Sequence, residues 1–323
     1  MGVILSNAIL LAKAIKDNNV KSVLQIGRQS LILTDNERRK LYEIFKSDFN
    51  DLDFSVFKED YVDNLLLSLG VKKIDSVDNS DYEGANIITD LSNKVFHEIP
   101  SFSSYDLILD LGTGEHIFDF PSYLNSLLCL LNKGGLLMLH LPVSGCNGHG
   151  FYQFAPDLFI SMARSNKKLS LKALYLTTER YFEMRSYLPL FNGSIRAEWN
   201  TLNQVAAIVI FKKTEADVSL SAVFQTDYEL AWSEAKKNSQ NSNHAYDVNA
   251  NIGLSDKLTG NEGVWKRRYI KLFHRIHAFG INQVIRFYML QILYKYSLPY
   301  QYNCISRKVS TSPSNFYKTV NLR

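Results

Sequence analysis

The sequence has 323 residues, of which 46% are hydrophobic and 21% charged, and its formal net charge is +4. These ordinary globular values argue against wholesale disorder and against collagen-like or coiled-coil architectures. The three cysteines have no disulfide-type or metal-type spacing, no apolar run reaches the roughly 18 residues that cross a membrane, and no secretory signal is indicated. We therefore expect a cytoplasmic protein in a reducing compartment, and we predict no metal site.

Strand and helix signals alternate over the first 215 residues, which is typical of a parallel sheet covered by helices on both faces. In chain order, the predicted helices are 8–16, 34–45, 61–69, 121–131 and one that begins near Pro156. The predicted strands are 22–26, 73–77, 86–89, 106–111, 136–141, 171–176 and 204–212. The helix from residue 34 is marked by a capping box, because Thr34 is followed three residues later by Glu37.

Two further regions follow the predicted sheet domain of residues 1–213. Residues 214–263 are polar and rich in serine and asparagine, so we expect a linker region. Residues 264–323 form a basic extension in which apolar and aromatic side chains recur at three- and four-residue steps between Trp265 and Tyr296. This spacing predicts an amphipathic helix.

Several residues that can bind a ligand follow the predicted strands. Ligands of an open parallel sheet bind at the carboxyl ends of its strands, where the strand order reverses. The residues at these ends are Gly27 after the first strand, Asp78 after the second, Asp90 after the third and residues 112–116 after the fourth. An ionised carboxylate after the second strand offers two acceptor oxygens to a ribose, and one after the third can meet an adenine amine. The pattern indicates a ligand that contains adenosine, although turn-forming aspartates give the same sequence pattern.

Residues 105–136 resemble the fourth strand, helix and fifth strand of the class I S-adenosylmethionine-dependent methyltransferases, on the residues Tyr-Asp-Leu-Ile-Leu-Asp, Glu-His-Ile-Phe-Asp and Leu-Leu-Asn-Lys-Gly-Gly-Leu. Residues 78–91 and 148–154 resemble a bacterial subgroup that is often associated with surface-glycan biosynthesis. The resemblance covers roughly residues 21–213. It implies an α/β, Rossmann-like doubly wound sheet that is mostly parallel with a final antiparallel strand, followed here by the helical basic extension.

The resemblance implies methyl transfer from S-adenosylmethionine to an oxygen or nitrogen of a sugar, glycan or other small metabolite. The residues expected to bind the cofactor are Gly27, Arg28, Asp78, Asp90, Gly112 and Glu115. Methyl transfer to a hydroxyl needs a base, and His116 and His149 are the candidates because imidazole titrates near neutral pH. The alternatives are packing or cofactor orientation for Glu115 and His116, and a loop-stabilising hydrogen bond for His149.

The turn after the first strand departs from the family pattern. The family has an acidic residue and a Gly-x-Gly-x-Gly turn there, whereas residues 25–30 read Gln-Ile-Gly-Arg-Gln-Ser with a single glycine. Arg28 is expected to bind a carboxylate of the cofactor with two parallel hydrogen bonds. The altered turn leaves a second function open, that of a catalytically inactive binding or scaffold subunit with the same fold.

Charge is distributed unevenly along the chain. No acidic residue follows Glu262, so residues 1–262 carry a net charge of −7 and the rest of the chain carries +11. Basic residues alternate with aromatic ones in the predicted helix, at Trp265, Lys266, Arg267, Arg268, Tyr269, Lys271, Phe273 and Arg275. This pattern is compatible with peripheral contact to an anionic membrane, with packing against the body of the protein and, less favourably, with nucleic acid binding.

Overall fold

The structure is a computed structural model that describes the sheet and the helices covering it. The described residues are 2–49, 52–94, 96–178, 181–187, 204–226, 228–229, 231–233, 235 and 317–320. The chain divides into two compact units, of which the first comprises Met1–Pro189, Asn203–Thr226 and Tyr317–Arg323. The predicted amphipathic helix between Trp265 and Tyr296 lies in the second unit and outside the described residues.

The first unit contains nine strands and five α-helices in its described part. The helices are α1 (Leu5–Asn18), α2 (Asp35–Phe45), α3 (Asp63–Ser68), α4 (Phe120–Leu130) and α5 (Pro156–Ser165). The strands are β1 (Ser22–Ile26), β2 (Lys73–Asp78), β3 (Ile87–Ile88), β4 (Tyr105–Asp110), β5 (Leu131–Ser144), β6 (Leu169–Thr178), β7 (Tyr181–Tyr187), β8 (Val205–Lys213) and β9 (Tyr317–Val320). A short 3₁₀ helix, Gly114–His116, follows β4.

The strands form one mixed sheet in the order β3-β2-β1-β4-β5-β8-β6-β7-β9. Strands β1 to β5 are parallel, and β8 lies antiparallel between β5 and β6. The strand order reverses between β1 and β4, which places a ligand-binding crevice at the carboxyl ends of these strands. The predicted fold class, a Rossmann-like doubly wound sheet with an antiparallel strand, is confirmed.

The core explains why β4 is apolar along most of its length. Ile108 of β4 packs with Leu127 of α4 on one face of the sheet. Leu107 and Leu109 pack on the other face, in the cluster that contains Leu11 of α1. Successive side chains of a strand point to opposite faces, so a strand covered by helices on both sides buries every residue.

Two expected boundaries are wrong. The sequence predicted a strand over 136–141, starting after the glycine pair Gly134 and Gly135 and closed by Pro142, whereas β5 runs from Leu131 to Ser144. The end predicted for the helix before it, residue 131, agrees with α4 to within one residue. Pro142 lies past the last residue that pairs with β4 and pairs with Ala206 of β8 beside a register shift. A proline's missing N–H is tolerated at such a position because no ladder bond to β4 is lost there.

The sequence predicted that 171–176 and 204–212 were the last two strands, but β7 and β9 extend the sheet. Strand β7 pairs with β6, and β9 pairs with β7. Strand β9 lies within the predicted basic extension, beyond the helix predicted between Trp265 and Tyr296, where no strand was expected.

Residues 214–226 pack along the sheet domain, although they were expected to belong to the polar linker. Val218 is buried, and the Asn125 side chain exchanges two hydrogen bonds with the backbone of Leu220. Thr226 donates to the carboxylate of Asp157 in α5. Across the described ranges, no helix combines the length and apolar character needed to cross a membrane.

Candidate functional site

The backbone turn after β1 is built around Gly27. Its φ angle is +70°, a conformation that side-chain-bearing residues rarely adopt. A Cβ at this position would lie 3.3 Å from Thr113 Oγ1 and 3.8 Å from Asp78 Oδ2. The loops after β1, β2 and β4 therefore meet around Gly27, as the strand-end pattern predicted.

Two buried glutamines stabilise this turn through hydrogen bonds. Gln25 is fully buried, and its Oε1 accepts a hydrogen bond from the backbone N–H of Gln29 at 2.9 Å. The Gln29 amide in turn donates to the carbonyls of Ile26 and Gly27 at 2.7 and 3.0 Å. Its Oε1 is buried and has no hydrogen-bond partner within the part of the chain that the structure describes. Sequence reasoning noted Gln29 as a departure from the family and missed this acceptor.

Arg28 connects the turn to two other segments, one with Tyr61 and Asp63 and one with Glu83. Its Nε lies 3.3 Å from Asp63 Oδ2, and its guanidinium carbon lies 4.1 Å from the centre of the Tyr61 ring. One Nη donates to the carbonyl of Glu83 at 3.2 Å, and a Cβ on Gly84 would come within 3.0 Å of that nitrogen. Arg28 thus already has a carboxylate partner, and its predicted contact with a cofactor carboxylate stays a prediction.

The two aspartates after β2 and β3 differ in exposure and in their contacts. Asp78 is half-buried; its Oδ1 accepts from the N–H of Asn79 at 2.6 Å, while Oδ2 lies on the Gly27 side. Asp90 is exposed, and its Oδ1 accepts from the N–H of Ser92 at 2.8 Å. The hydrogen bonds from Ser92 lower the pKa of Asp90. Asp90 therefore makes the turn contact that was its alternative role, and its adenine contact stays a prediction.

The turn after β4 is held by a buried carboxylate that sequence reasoning missed. Asp110 Oδ1 accepts from the N–H groups of Gly112, Thr113 and Gly114 at 3.3, 2.8 and 3.2 Å, and Oδ2 accepts from the Tyr123 hydroxyl at 2.9 Å. Burial raises the pKa of Asp110, and these hydrogen bonds oppose the rise. An aspartate that ends a buried strand two residues before Gly-Thr-Gly was the available signal.

The structure brings the two predicted catalytic histidines together over a buried glutamate. Glu115 is completely buried, and its Oε1 lies 3.3 Å from His149 Nε2 and 4.0 Å from His116 Nε2. The two imidazole rings meet edge to face, with 4.8 Å between centroids, and each side chain is 47% exposed. Burial, followed by the neighbouring His149, lowers the pKa of His116. The two half-exposed histidines therefore lie over a carboxylate that solvent does not reach.

The loop after β5 is hydrogen-bonded to the backbone of Glu115. The Glu115 carbonyl accepts from the N–H groups of Phe151 and Tyr152 at 2.7 and 3.2 Å. Gly150 has a φ of +70°, and a Cβ there would lie 2.8 Å from Glu115 Cγ. The glycine after His149 therefore allows Glu115 to approach this loop closely.

Aromatic rings border the histidine pair. Phe118 and Phe151 are 77% and 70% exposed, and their rings meet edge to face with centroids 6.4 Å apart. The Tyr152 hydroxyl donates to the carbonyl of Phe118 at 2.6 Å, which ties the two loops together. Phe154 is buried. Phe151 is therefore an exposed ring of this loop, whereas Phe154 belongs to the core.

The site can perform two kinds of chemistry. A half-exposed imidazole beside a buried carboxylate can accept a proton from a bound hydroxyl. Glu115, His116 and His149 can also ligate a metal ion, since their ligand atoms all lie within 4.8 Å of one another. The sequence predicted no metal site. His116 and His149 are separated by 33 positions in the sequence, and only the fold brings them together.

No protein-family model matches the sequence, and a search of curated proteins finds no match. Among solved structures, TehB from Haemophilus influenzae is similar at 14% identity with a TM-score of 0.34. The match covers 64% of this chain and 62% of TehB, so this chain spans less than two-thirds of the length of TehB. The 1,6-didemethyltoxoflavin-N1-methyltransferase of Burkholderia thailandensis, with bound S-adenosylhomocysteine, is similar at 14% identity with a TM-score of 0.33, covering 64% of this chain and 79% of that one.

An O-methyltransferase of Brevibacillus brevis is similar at 12% identity with a TM-score of 0.31, covering 53% of this chain and 57% of that one. With TM-scores below 0.5, these similarities identify neither an activity nor a ligand for this chain. The order and direction of the strands define the fold class of this chain, which is a doubly wound, Rossmann-like sheet. This is the sheet that the resemblance to class I methyltransferases implied.

Proposed function

We propose that this protein transfers a methyl group from S-adenosylmethionine to an oxygen or nitrogen of a sugar or related small metabolite. The observation that carries the proposal is the meeting of Gly27, Asp78 and Thr113 where the strand order reverses. Nucleoside ligands of doubly wound sheets bind at this place, with an acidic residue on the ribose. Asp78 Oδ2 is the oxygen available for that contact, since Oδ1 accepts from the following N–H.

The residues of the β1 turn fit the amino-acid part of such a cofactor. Gln29 Oε1 is a buried acceptor that an ammonium group can satisfy, because its other contacts within the described chain use the amide nitrogen. Arg28 lies beside it and supplies the positive charge that a carboxylate needs. When bound, S-adenosylmethionine supplies an electrophilic methyl group, and the protein's part is to align the acceptor with it.

His149 is the residue best placed to take the proton of the acceptor. Its Nε2 lies 3.3 Å from Glu115 Oε1, and the side chain is half-exposed, so an acceptor bound from solvent can reach the imidazole. Glu115 acts as a positioning residue because burial and the loop contacts fix its carboxylate beneath the ring. His116 lies beside His149 and borders the same space.

The exposed rings favour a sugar as the acceptor. Phe118 and Phe151 present apolar surface next to polar, proton-accepting side chains. Sugars combine apolar ring faces with hydroxyls, so one ligand can contact both. Exposed aromatic side chains grouped at a site are typical of binding surfaces.

Calorimetry with S-adenosylmethionine and S-adenosylhomocysteine tests the cofactor. We expect saturable binding of one ligand per chain, weakened about tenfold, or about 1.4 kcal/mol, by Asp78→Asn because the amide has one acceptor oxygen instead of two. Asp81→Asn, an exposed aspartate of the following loop, is the matched control and should bind as the unaltered protein does. No heat at about 1 mM ligand would contradict the proposal and leave the scaffold function as the account of this fold.

A second test separates catalysis from loop structure. His149→Ala should lower the rate of labelled-methyl transfer to a responsive sugar acceptor by about 10²–10⁴-fold while leaving the affinity for S-adenosylhomocysteine within about twofold. Equal losses of rate and affinity would show that His149 only stabilises its loop.

A further inference from the structure

We propose that Glu115, His116 and His149 form a binding site for one divalent transition-metal ion of the zinc type, at the carboxyl ends of β4 and β5. Imidazole nitrogens and a carboxylate oxygen are ligands that Zn²⁺ takes in proteins. The site needs no cysteine, which agrees with the absence of metal-type cysteine spacing in the sequence.

One of the distances between the ligand atoms already fits a tetrahedral ion, and all of them are within 4.8 Å. Two ligands about 2.0–2.1 Å from Zn²⁺ at a tetrahedral angle lie about 3.3 Å apart. Glu115 Oε1 and His149 Nε2 are 3.3 Å apart, and Glu115 Oε1 and His116 Nε2 are 4.0 Å apart. Because the His116 side chain is half-exposed, a small rotation of its ring closes the remaining gap without moving the core.

The carboxylate ligand is preorganised. Glu115 is completely buried, its carbonyl is held by two N–H groups of the β5 loop, and Gly150 packs against its side chain. A cation bound beside a buried carboxylate is attracted to it at short range. The loop held by these contacts carries His149, one residue before Gly150, and places its Nε2 3.3 Å from Glu115 Oε1.

The two histidines leave the ion accessible. Each is 47% exposed, so the ion can enter from solvent and three protein ligands leave a fourth position open. Zinc sites with three protein ligands and an open position are catalytic rather than structural. If the proposed methyl transfer holds, an acceptor hydroxyl can occupy that position, where the ion lowers the pKa of the hydroxyl and its proton passes to solvent. His149 is then a metal ligand, and its role as the base applies to the metal-free protein. The activation of the hydroxyl rests on the proposed function, whereas the binding of the ion does not.

Metal titration of the full-length, chelator-stripped protein tests the site. We expect calorimetry to show one Zn²⁺ bound per chain with a Kd of about 10 μM or lower, and Co²⁺ to give the visible absorption of a tetrahedral complex. His116→Ala, His149→Ala and Glu115→Gln should each weaken Zn²⁺ binding by about tenfold or more. His116→Ala removes an exposed ring, so its melting temperature without metal should stay unchanged while the rise caused by Zn²⁺ is lost.

Two controls address other histidines. His97 lies on a separate 3₁₀ helix, Phe96–Glu98, with its Nδ1 2.9 Å from Ser126 Oγ, and His97→Ala should bind Zn²⁺ as the unaltered protein does. A triple alanine variant of His244, His274 and His277, which lie outside the described residues, should do the same. Retained binding in the site variants, or no binding at about 100 μM Zn²⁺, would overturn the proposal.

A parallel titration keeps this proposal distinct from the proposed function. S-adenosylhomocysteine binding that survives in His116→Ala while Zn²⁺ binding is lost supports both. Zn²⁺ binding without any binding of S-adenosylhomocysteine supports the metal site and contradicts methyl transfer. S-adenosylhomocysteine binding with no Zn²⁺ binding contradicts the metal site alone.

Discussion

Gly150 sets how closely the loop after β5 approaches Glu115. A methyl group at this position would lie 2.8 Å from Glu115 Cγ and 2.9 Å from its carbonyl oxygen, and the backbone φ of +70° adds strain. We expect Gly150→Ala to destabilise the protein by about 1–3 kcal/mol and to displace the histidine pair. Gly148→Ala is the matched control because a Cβ there meets nothing within 4 Å. Urea unfolding measures the free energy of unfolding of both variants. Equal values for Gly150→Ala and Gly148→Ala would show that the loop accommodates a methyl group at position 150 without strain.

His140 gives the fold a pH dependence of its own. It is buried in β5, where Asn7 contacts its Nδ1 at 3.2 Å, and burial lowers its pKa to about 4. The unfolded chain binds a proton near pH 6.5 and the folded protein does not. Stability is therefore full above about pH 6.5 and falls as the pH drops toward 4, by up to about 3 kcal/mol.

The His140→Leu variant isolates this contribution. We expect its unfolding free energy to change less than that of the unaltered protein between pH 7 and pH 4.5, although the lost contact with Asn7 lowers its stability by a constant amount. Chemical unfolding at a series of pH values measures the difference. Parallel pH profiles would mean that His140 is accessible to protons in the folded protein.

At the scale of elements, the turn after β4 depends on Asp110. The carboxylate accepts from three N–H groups of the turn that leads into Gly114–His116. Asp110→Asn turns one acceptor oxygen into a donor in this buried place, so we expect a loss of about 1–3 kcal/mol in stability and weaker binding at Glu115 and His116. Asp119→Asn is the control, since Asp119 is the N-cap of α4, a position where asparagine caps as well as aspartate, and its other contact is an ion pair with the exposed Lys94. Thermal unfolding that ranks the two variants equally would contradict this role.

The elements that sequence reasoning located are those with a strong local pattern. The capping box placed the start of α2, where Thr34 and Glu37 exchange hydrogen bonds as expected. Runs of aliphatic residues predicted the ends of β1 and β4 to within one residue of those in the structure. Strand β9 was missed because it pairs with a strand about 130 positions earlier, and no local pattern encodes that pairing. Strand β7 was also missed, although it pairs with β6, its neighbour along the chain. The metal-type cluster was missed for the same reason as β9, because it depends on two loops meeting.

The candidate site was predictable where strand ends determine position. Gly27, Asp78 and the loop after β4 come together because parallel strands carry their carboxyl ends to one edge of the sheet. Sequence could not show what each side chain contacts there. Arg28 pairs with Asp63, and Asp90 binds Ser92, through contacts that depend on the exact path of the loops.

At the scale of the whole molecule, the uneven charge predicts a surface interaction. The basic residues after Glu262 carry +11, against −7 for the rest of the chain. We propose peripheral contact with an anionic membrane, and we expect the full-length protein to sediment with phosphatidylserine vesicles at low salt, but not with neutral vesicles. Replacing Lys266, Arg267 and Arg268 by glutamate should weaken sedimentation.

A matched triple replacement at exposed positions of the body controls for net charge. Arg39, Lys40 and Lys72 are exposed, and their replacement by glutamate changes the total charge equally. Equal loss of sedimentation in the two variants would show that overall charge, and not the basic segment, attracts the vesicles.

The central claim is that the carboxyl ends of β1, β2 and β4 hold an adenosine-containing methyl donor. A crystal structure of the protein grown with saturating S-adenosylhomocysteine tests it most directly. We predict the ribose hydroxyls on Asp78 and the sulfur on the side of the crevice that faces His116 and His149. A ligand elsewhere on the molecule, or a crevice that stays empty at saturation, would contradict the account.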